Sequence, residues 1–170
     1  MIEVLILYEL TKKTLTMYGL SKEIKNEFSV LTTPSYGTIK PALSRLTEKE
    51  FVRTTKTMSS GGRPSCLYSI TSSGKDKLKE LLLEKPLENP IQFLPSARVR
   101  VTCSAILNDK EKQELFKILK NKTDSILLDI KNTLIDKNIE FYHKMVFDNL
   151  ACEYKNFSSL LEGLNHASNN

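Results

Sequence analysis

The apolar positions along the chain change their period several times, and each change marks an element. Ile2, Leu5, Ile6, Tyr8 and Leu10 fall on more than one side of a helical turn, so residues 2–12 predict a helix packed between partners. Leu20, Ile24 and Phe28 recur every four residues and predict a second helix over 18–28, with Gly19 or Ser21 marking its start. A Thr-rich connector ending in Pro34 precedes a third helix over about 36–50, with Ser35 as N-cap and Ile39, Leu43 and Leu46 as its buried stripe. Pro41 lies inside that pattern but near the first turns, which predicts a local distortion and no break. Residues 51–57 lose the helical period and are rich in Thr, Val and Phe, as a strand is. The run Ser59-Ser60-Gly61-Gly62-Arg63-Pro64 is a turn signal, and Cys66–Ile70 reads as the returning strand. Thr71 or Ser72 then caps a fourth helix carrying Leu78, Leu81 and Leu82, which stops before Pro86.

The second half is patterned differently. Pro86, Pro90 and Pro95 mark a linker-like break, residues 97–107 read as helical, and Asn108 or Asp109 caps a long helix to about Lys137. Along it Phe116, Leu119, Thr123, Ile126, Ile130 and Thr133 alternate three- and four-residue steps, a heptad-like seam. A last helix over about 138–164 carries Tyr142, Val146, Leu150, Phe157, Leu161 and Leu164, and a polar tail follows from Asn165. The chain therefore divides into 1–85 and 86–170.

Charge sharpens that division. The net +5 of the 170 residues sits entirely in residues 1–85, which hold 14 Lys/Arg against 9 Asp/Glu, whereas residues 86–170 hold 11 of each. Between residues 35 and 63, Lys40, Arg45, Lys49, Arg53, Lys56 and Arg63 face only Glu48 and Glu50, a patch suited to a polyanion through counterion release. No apolar run approaches a membrane span, and the apolar N-terminus contains Glu3 and Glu9 with no preceding basic residue, unlike a signal peptide. Cys66, Cys103 and Cys152 have neither metal-ligand nor redox spacing, which fits a reducing cytoplasm. The two histidines, His143 and His166, lie outside any Ser/His/Asp grouping, no phosphate loop is present, and neither catalysis, a cofactor nor a metal site is expected.

Three helices and a two-stranded hairpin bearing basic residues describe a winged helix-turn-helix, and the predicted fold is mostly α: this module followed by an α-helical dimerisation domain. The major groove admits one helix, whose first residues reach base edges. The third helix offers Ser35, Tyr36 and Thr38 for bases and phosphates, Gly37 for close backbone approach, and Lys40 and Arg45 for phosphates. Lys56 and Arg63 equip the hairpin to lie along the adjacent backbone or minor groove. Tyr68 reads as hairpin core, and Arg45 has an alternative use as a partner for Glu48 or Glu9.

These residues resemble the PadR family of bacterial transcriptional regulators. The resemblance rests on Gly37-Thr38-Ile39-Lys40-Pro41-Ala42-Leu43-Ser44-Arg45-Leu46, Phe51-Val52, Gly61-Gly62-Arg63-Pro64 and Leu67-Tyr68-Ser69-Ile70-Thr71-Ser72-Ser73-Gly74, with Tyr18-Gly19 and Ile24 upstream. It covers roughly residues 1–85. Two positions depart from the family pattern: Lys40 stands where an aromatic residue is usual, and Glu50 where a helix-ending glycine is usual. The resemblance implies a sequence-specific regulator of double-stranded DNA, a repressor released in some relatives by a small molecule.

The broad apolar faces of the last two helices favour a homodimer over purely internal packing, with Phe116, Leu119, Ile126, Ile130, Val146, Leu150 and Phe157 at the interface. Such a dimer would present two reading helices to a pseudo-palindromic operator. A small apolar effector would fit a module of this kind, with residues 86–107 as the hinge. The alternative is a winged helix that binds protein and not DNA, since one fold serves both.

Overall fold

The computed structural model describes residues 1–58, 61–62, 64–135 and 139–167. Its elements are α1 (Ile2–Lys12), β1 (Leu15–Thr16), α2 (Met17–Phe28), α3 (Tyr36–Glu48), β2 (Val52–Met58), β3 (Pro64–Ile70), α4 (Ser72–Leu83), α5 (Pro90–Thr102), a 3₁₀ turn (Cys103–Ile106), α6 (Asp109–Leu134) and α7 (Phe141–Ala167). Two compact units result: Met1–Glu84 with Leu94–Ile106, and Lys85–Phe93 with Leu107–Asn170. The division therefore falls inside α5 and assigns its larger part to the first unit, where the sequence pattern suggests one cut near residue 85.

In the first unit α1 is the central helix. It packs against α2, α3, α4 and β3, and every residue from Val4 to Leu10 is buried. That is the outcome expected of a helix apolar on several sides. Leu20, Ile24 and Phe28 of α2, and Ile39, Ala42, Leu43 and Leu46 of α3, complete the core. Thr16 caps α2 by accepting from the Gly19 N–H at 3.1 Å. The sheet has three strands, not two, in the order β1-β3-β2, all antiparallel. The short β1 pairs Leu15 with Tyr68 and Thr16 with Leu67. Two residues are too few to show a period of two, so the pattern along the chain gave no sign of it.

α3 continues through Pro41, whose missing N–H leaves the Gly37 carbonyl without its helical donor near the exposed start of the helix. Its end is a Schellman turn: the Phe51 N–H donates to the Leu46 carbonyl at 2.9 Å and Glu50 adopts a left-handed φ of 58°. Glu50 thus takes the backbone conformation of the glycine it replaces.

Thr71 joins the base of the hairpin to α4. Its hydroxyl donates to the Glu50 carbonyl at 2.8 Å and accepts from the Gly74 N–H at 3.0 Å. At the other end of α4, the buried Arg100 guanidinium donates to the carbonyls of Leu82 (2.7 Å from Nε) and Glu84 (2.6 Å), two of the orphan acceptors of a helix terminus. Burial lowers the Arg100 pKa to about 10, so the group remains charged at neutral pH.

The linker-like reading of residues 86–95 needs correction. α5 begins at Pro90, with the Asn89 side chain accepting from the Ile91 N–H at 2.9 Å. Proline is at home in the first helical position, where its missing donor is unneeded. In the second unit Asn108 and Glu111 form a reciprocal capping box that starts α6. α6 and α7 then pack antiparallel, with Ser158 donating to Asp124 at 3.0 Å and Lys120 paired with Glu162 at 3.1 Å. Tyr154 stacks on Phe93, and its hydroxyl donates to the Pro90 carbonyl at 3.2 Å. Among the described residues no helix is long and apolar enough to cross a membrane.

Candidate nucleic-acid interface

α3 is amphipathic in the way a reading helix must be. Its inner stripe is buried, while Ser35, Tyr36, Gly37, Thr38 and Lys40 are all exposed on its opening turns. Ser35 and Thr38 hydroxyls lie 3.1 Å apart and hold each other, and the Ser35 carbonyl accepts from the Thr38 and Ile39 N–H groups at 3.0 Å. A methyl group added at Gly37 would meet only the Ser35 hydroxyl, at 3.6 Å, an ordinary contact. Nothing inside the chain therefore requires glycine there.

Lys40 faces a groove of about 360 Å³ between α3 and the sheet, lined also by Met17, Leu43, Ser44, Thr47, Glu48, Thr54 and Tyr68. Thr54 pairs with Tyr68 across the β2/β3 ladder, and Lys56 follows Thr54 by two residues. Strand alternation places Lys56 on the same strand face as Thr54, outside the groove lining, and within the groove Lys40 is accompanied by Glu48. Burial raises the Tyr68 hydroxyl pKa, consistent with its place in the sheet core.

Arg45 does not join this set. Its guanidinium is 3.2 Å from Glu3 on α1, an ion pair that turns it away from the opening of α3. Arg63 lies outside the described residues. Ser44 and Thr54, which border Lys40, were not legible as site residues, because their proximity depends on how α3 crosses the sheet. Arg53, also exposed, sits on the opposite strand face from Lys56. Exposed Tyr18 at the start of α2 adds an aromatic hydroxyl to this unit.

In the second unit, the seam expected to face another copy is used within the chain. Phe116, Leu119, Ile126, Ile130 and Phe157 are buried, Leu150 is half-buried, and only Val146 of the seven is exposed. Exposed apolar residues in this unit include Phe141, Tyr142, Met145 and Val146 at the start of α7, Leu128 on α6, Ile135 just after it, Leu160 on α7, and Leu87 and Ile91.

A model of the transcriptional regulator PadR-like family matches residues 6–80, from α1 into α4. A PadR family transcription regulator from Clostridium difficile R20291 is 32% identical over 46% of this chain and 79% of its own, with a TM-score of 0.39. The chain belongs to the PadR-like family of transcriptional regulators. Two structures of Bacillus subtilis PadR are also similar: one in complex with operator DNA (22% identity, 98% of each chain, TM-score 0.45), and one in complex with p-coumaric acid (21% identity, 99% of this chain and 95% of that one, TM-score 0.43). A comparison with curated proteins returns no match. In this PadR-like chain the matched segment contains all the described residues of the α3–sheet groove.

Proposed function

We propose that this PadR-like chain is a cytoplasmic, sequence-specific repressor that binds a pseudo-palindromic operator as a homodimer. The observation that carries this reading is the opening of α3: Ser35, Tyr36, Thr38 and Lys40 are exposed together there, beside a Gly37 that internal packing does not demand. Ser35, Tyr36 and Thr38 read bases or phosphates, Gly37 admits the duplex, and Lys40 and Lys56 neutralise phosphates. Residues 1–85 carry the reading surface and residues 86–170 the dimer contact, with Leu94–Ile106 supporting the first unit.

The exposed apolar cluster Phe141, Tyr142, Met145 and Val146 is the surface that a second copy covers. A two-fold dimer then sets two α3 helices on half-sites about 34 Å apart, or a multiple of that spacing. Release of the operator by a small-molecule effector belongs to the same reading.

The test is binding to duplexes selected from random sequence, followed by titration of the winner from 50 to 200 mM salt. A specific site whose affinity falls steeply with salt supports the proposal. Failure to enrich any sequence rejects it in favour of a winged helix that recognises protein. Sedimentation of Val146→Asp alongside the parent chain tests the dimer: the parent should sediment as a dimer and the variant as a monomer.

A further inference from the structure

Pro41 lies in the second turn of α3 and is exposed, so its ring adds nothing to the core, while its missing N–H removes one helical hydrogen bond. Helical periodicity places Gly37, Pro41, Ser44 and Glu48 on the ridge of α3 that points directly away from the buried Ile39, Ala42, Leu43 and Leu46. Gly37 has no side chain, so the first ring or chain on that ridge is Pro41. Thr38, three residues earlier, borders it. The Thr38 hydroxyl is engaged with that of Ser35 at 3.1 Å, which leaves the Thr38 methyl group as its free end.

The polar alternatives for reading a base are few on this helix. α3 contains no asparagine or glutamine, the side chains that pair bidentately with adenine. Its arginine, Arg45, is held by Glu3 at 3.2 Å. Tyr36 and Lys40 lie to one side of the ridge, and Lys40 borders the groove toward the sheet. Glu48 is the last residue of α3, past the opening turns that meet base edges in a major groove. What the opening of the ridge offers is an apolar pair, and the apolar group on a major-groove base edge is the C5-methyl of thymine.

We propose that Pro41 and the Thr38 methyl group read thymine, seating its C5-methyl beside Gly37 in each half-site. This rests on the operator reading above and adds the chemistry by which the duplex is chosen. Cytosine, which lacks the methyl group, would leave the apolar pair facing water.

The operator comes from the selection described above, and each thymine in it is replaced in turn by deoxyuridine, which removes the methyl group and keeps the base pairing. At one thymine or more in each half-site the affinity should fall about fourfold, the usual contribution of one buried methyl group. The salt slope should stay unchanged, because no phosphate contact is lost. Pro41→Ala restores a helix N–H, so this variant should fold at least as stably as the parent, and thymine and deoxyuridine duplexes should bind it within about twofold of each other. Thr38→Ser, which keeps the hydroxyl that meets Ser35, should shrink the difference in the same direction. An enriched operator at which no thymine responds to loss of its methyl group overturns this inference alone, as does a response undiminished in Pro41→Ala. Failure to enrich any duplex overturns the operator reading and this inference with it.

Discussion

Gly74 stands against the Phe51 carbonyl so closely that a methyl group on its α-carbon would lie 2.1 Å from that oxygen. The obstacle is backbone, at the point where the turn after α3 enters the sheet, and it cannot swing aside like a side chain. The Thr-x-x-Gly pattern at Thr71–Gly74 is therefore an architectural lock: Thr71 supplies the hydrogen bonds and Gly74 the clearance.

Gly74→Ala should destabilise the chain by about 2 kcal/mol or more, because the start of α4 must move off the sheet base. Urea unfolding of parent and variant measures this. A change below about 0.5 kcal/mol would show that the two segments separate without penalty.

Gly37→Ala tests the opposite kind of glycine. With open space around it, alanine should leave folding stability equal or raise it by up to about 1 kcal/mol, the usual gain for alanine in a helix. On the proposed reading, operator affinity should nevertheless fall roughly tenfold, since the methyl group would stand between the α3 backbone and the duplex. Stability and affinity moving in opposite directions is the signature; affinity that stays constant would make Gly37 a neutral surface position.

Lys40→Ala and Lys56→Ala should each weaken binding to all duplexes by a similar factor and reduce the magnitude of the logarithmic salt slope by about 1, as the loss of one phosphate contact does. Arg45→Ala should leave that slope unchanged, because its charge is already committed to Glu3. Anisotropy titrations at several salt concentrations distinguish the two outcomes.

Most elements of the first unit are legible in the sequence, and the reasons are local. The bounds of α1 follow from an uninterrupted helical pattern, and the start of α3 from Ser35 ahead of a regular apolar stripe. The partner of Arg45 was not legible, since Glu3 lies 42 residues away and meets it only through the packing of α1 on α3. The α6 seam showed its spacing but not its partner: a heptad-like stripe looks the same whether α7 or another copy covers it. Pro90 misled in another way, because a proline that opens a helix resembles one that prevents it until Asn89 is seen to cap the turn.

Glu9 gives a pH dependence. It is 1% exposed on α1, with Lys12 Nζ at 3.4 Å and Lys12 also paired to Glu27 of α2. Tyr8, Glu27 and Cys103 add to its surroundings: Lys12 lies over the Tyr8 ring, and burial pushes the Cys103 thiol far above its ordinary range. Burial raises the Glu9 pKa from 4.5 to about 7, opposed by Lys12 and assisted by Glu27. A carboxyl that binds its proton more tightly when folded contributes stability that is full below about pH 4.5 and is lost as pH rises through 7. Glu9→Gln, which cannot ionise, should therefore flatten the fall in stability between pH 5 and 8, by an amount on the order of 1–3 kcal/mol. Thermal melts across that range provide the measurement, and parallel curves for parent and variant would remove Glu9 as the source.

The grip of Arg100 on the last carbonyls of α4 bears on how this protein can be divided. A fragment ending at residue 85 would keep every residue of the α3–sheet groove but lose the guanidinium that closes α4, together with the buried side chains of Ala97, Val99 and Cys103. The smallest piece that keeps the first unit whole therefore ends near Ile106, and a protease that nicks the chain between Glu84 and Pro90 should yield two products that remain associated until they are denatured.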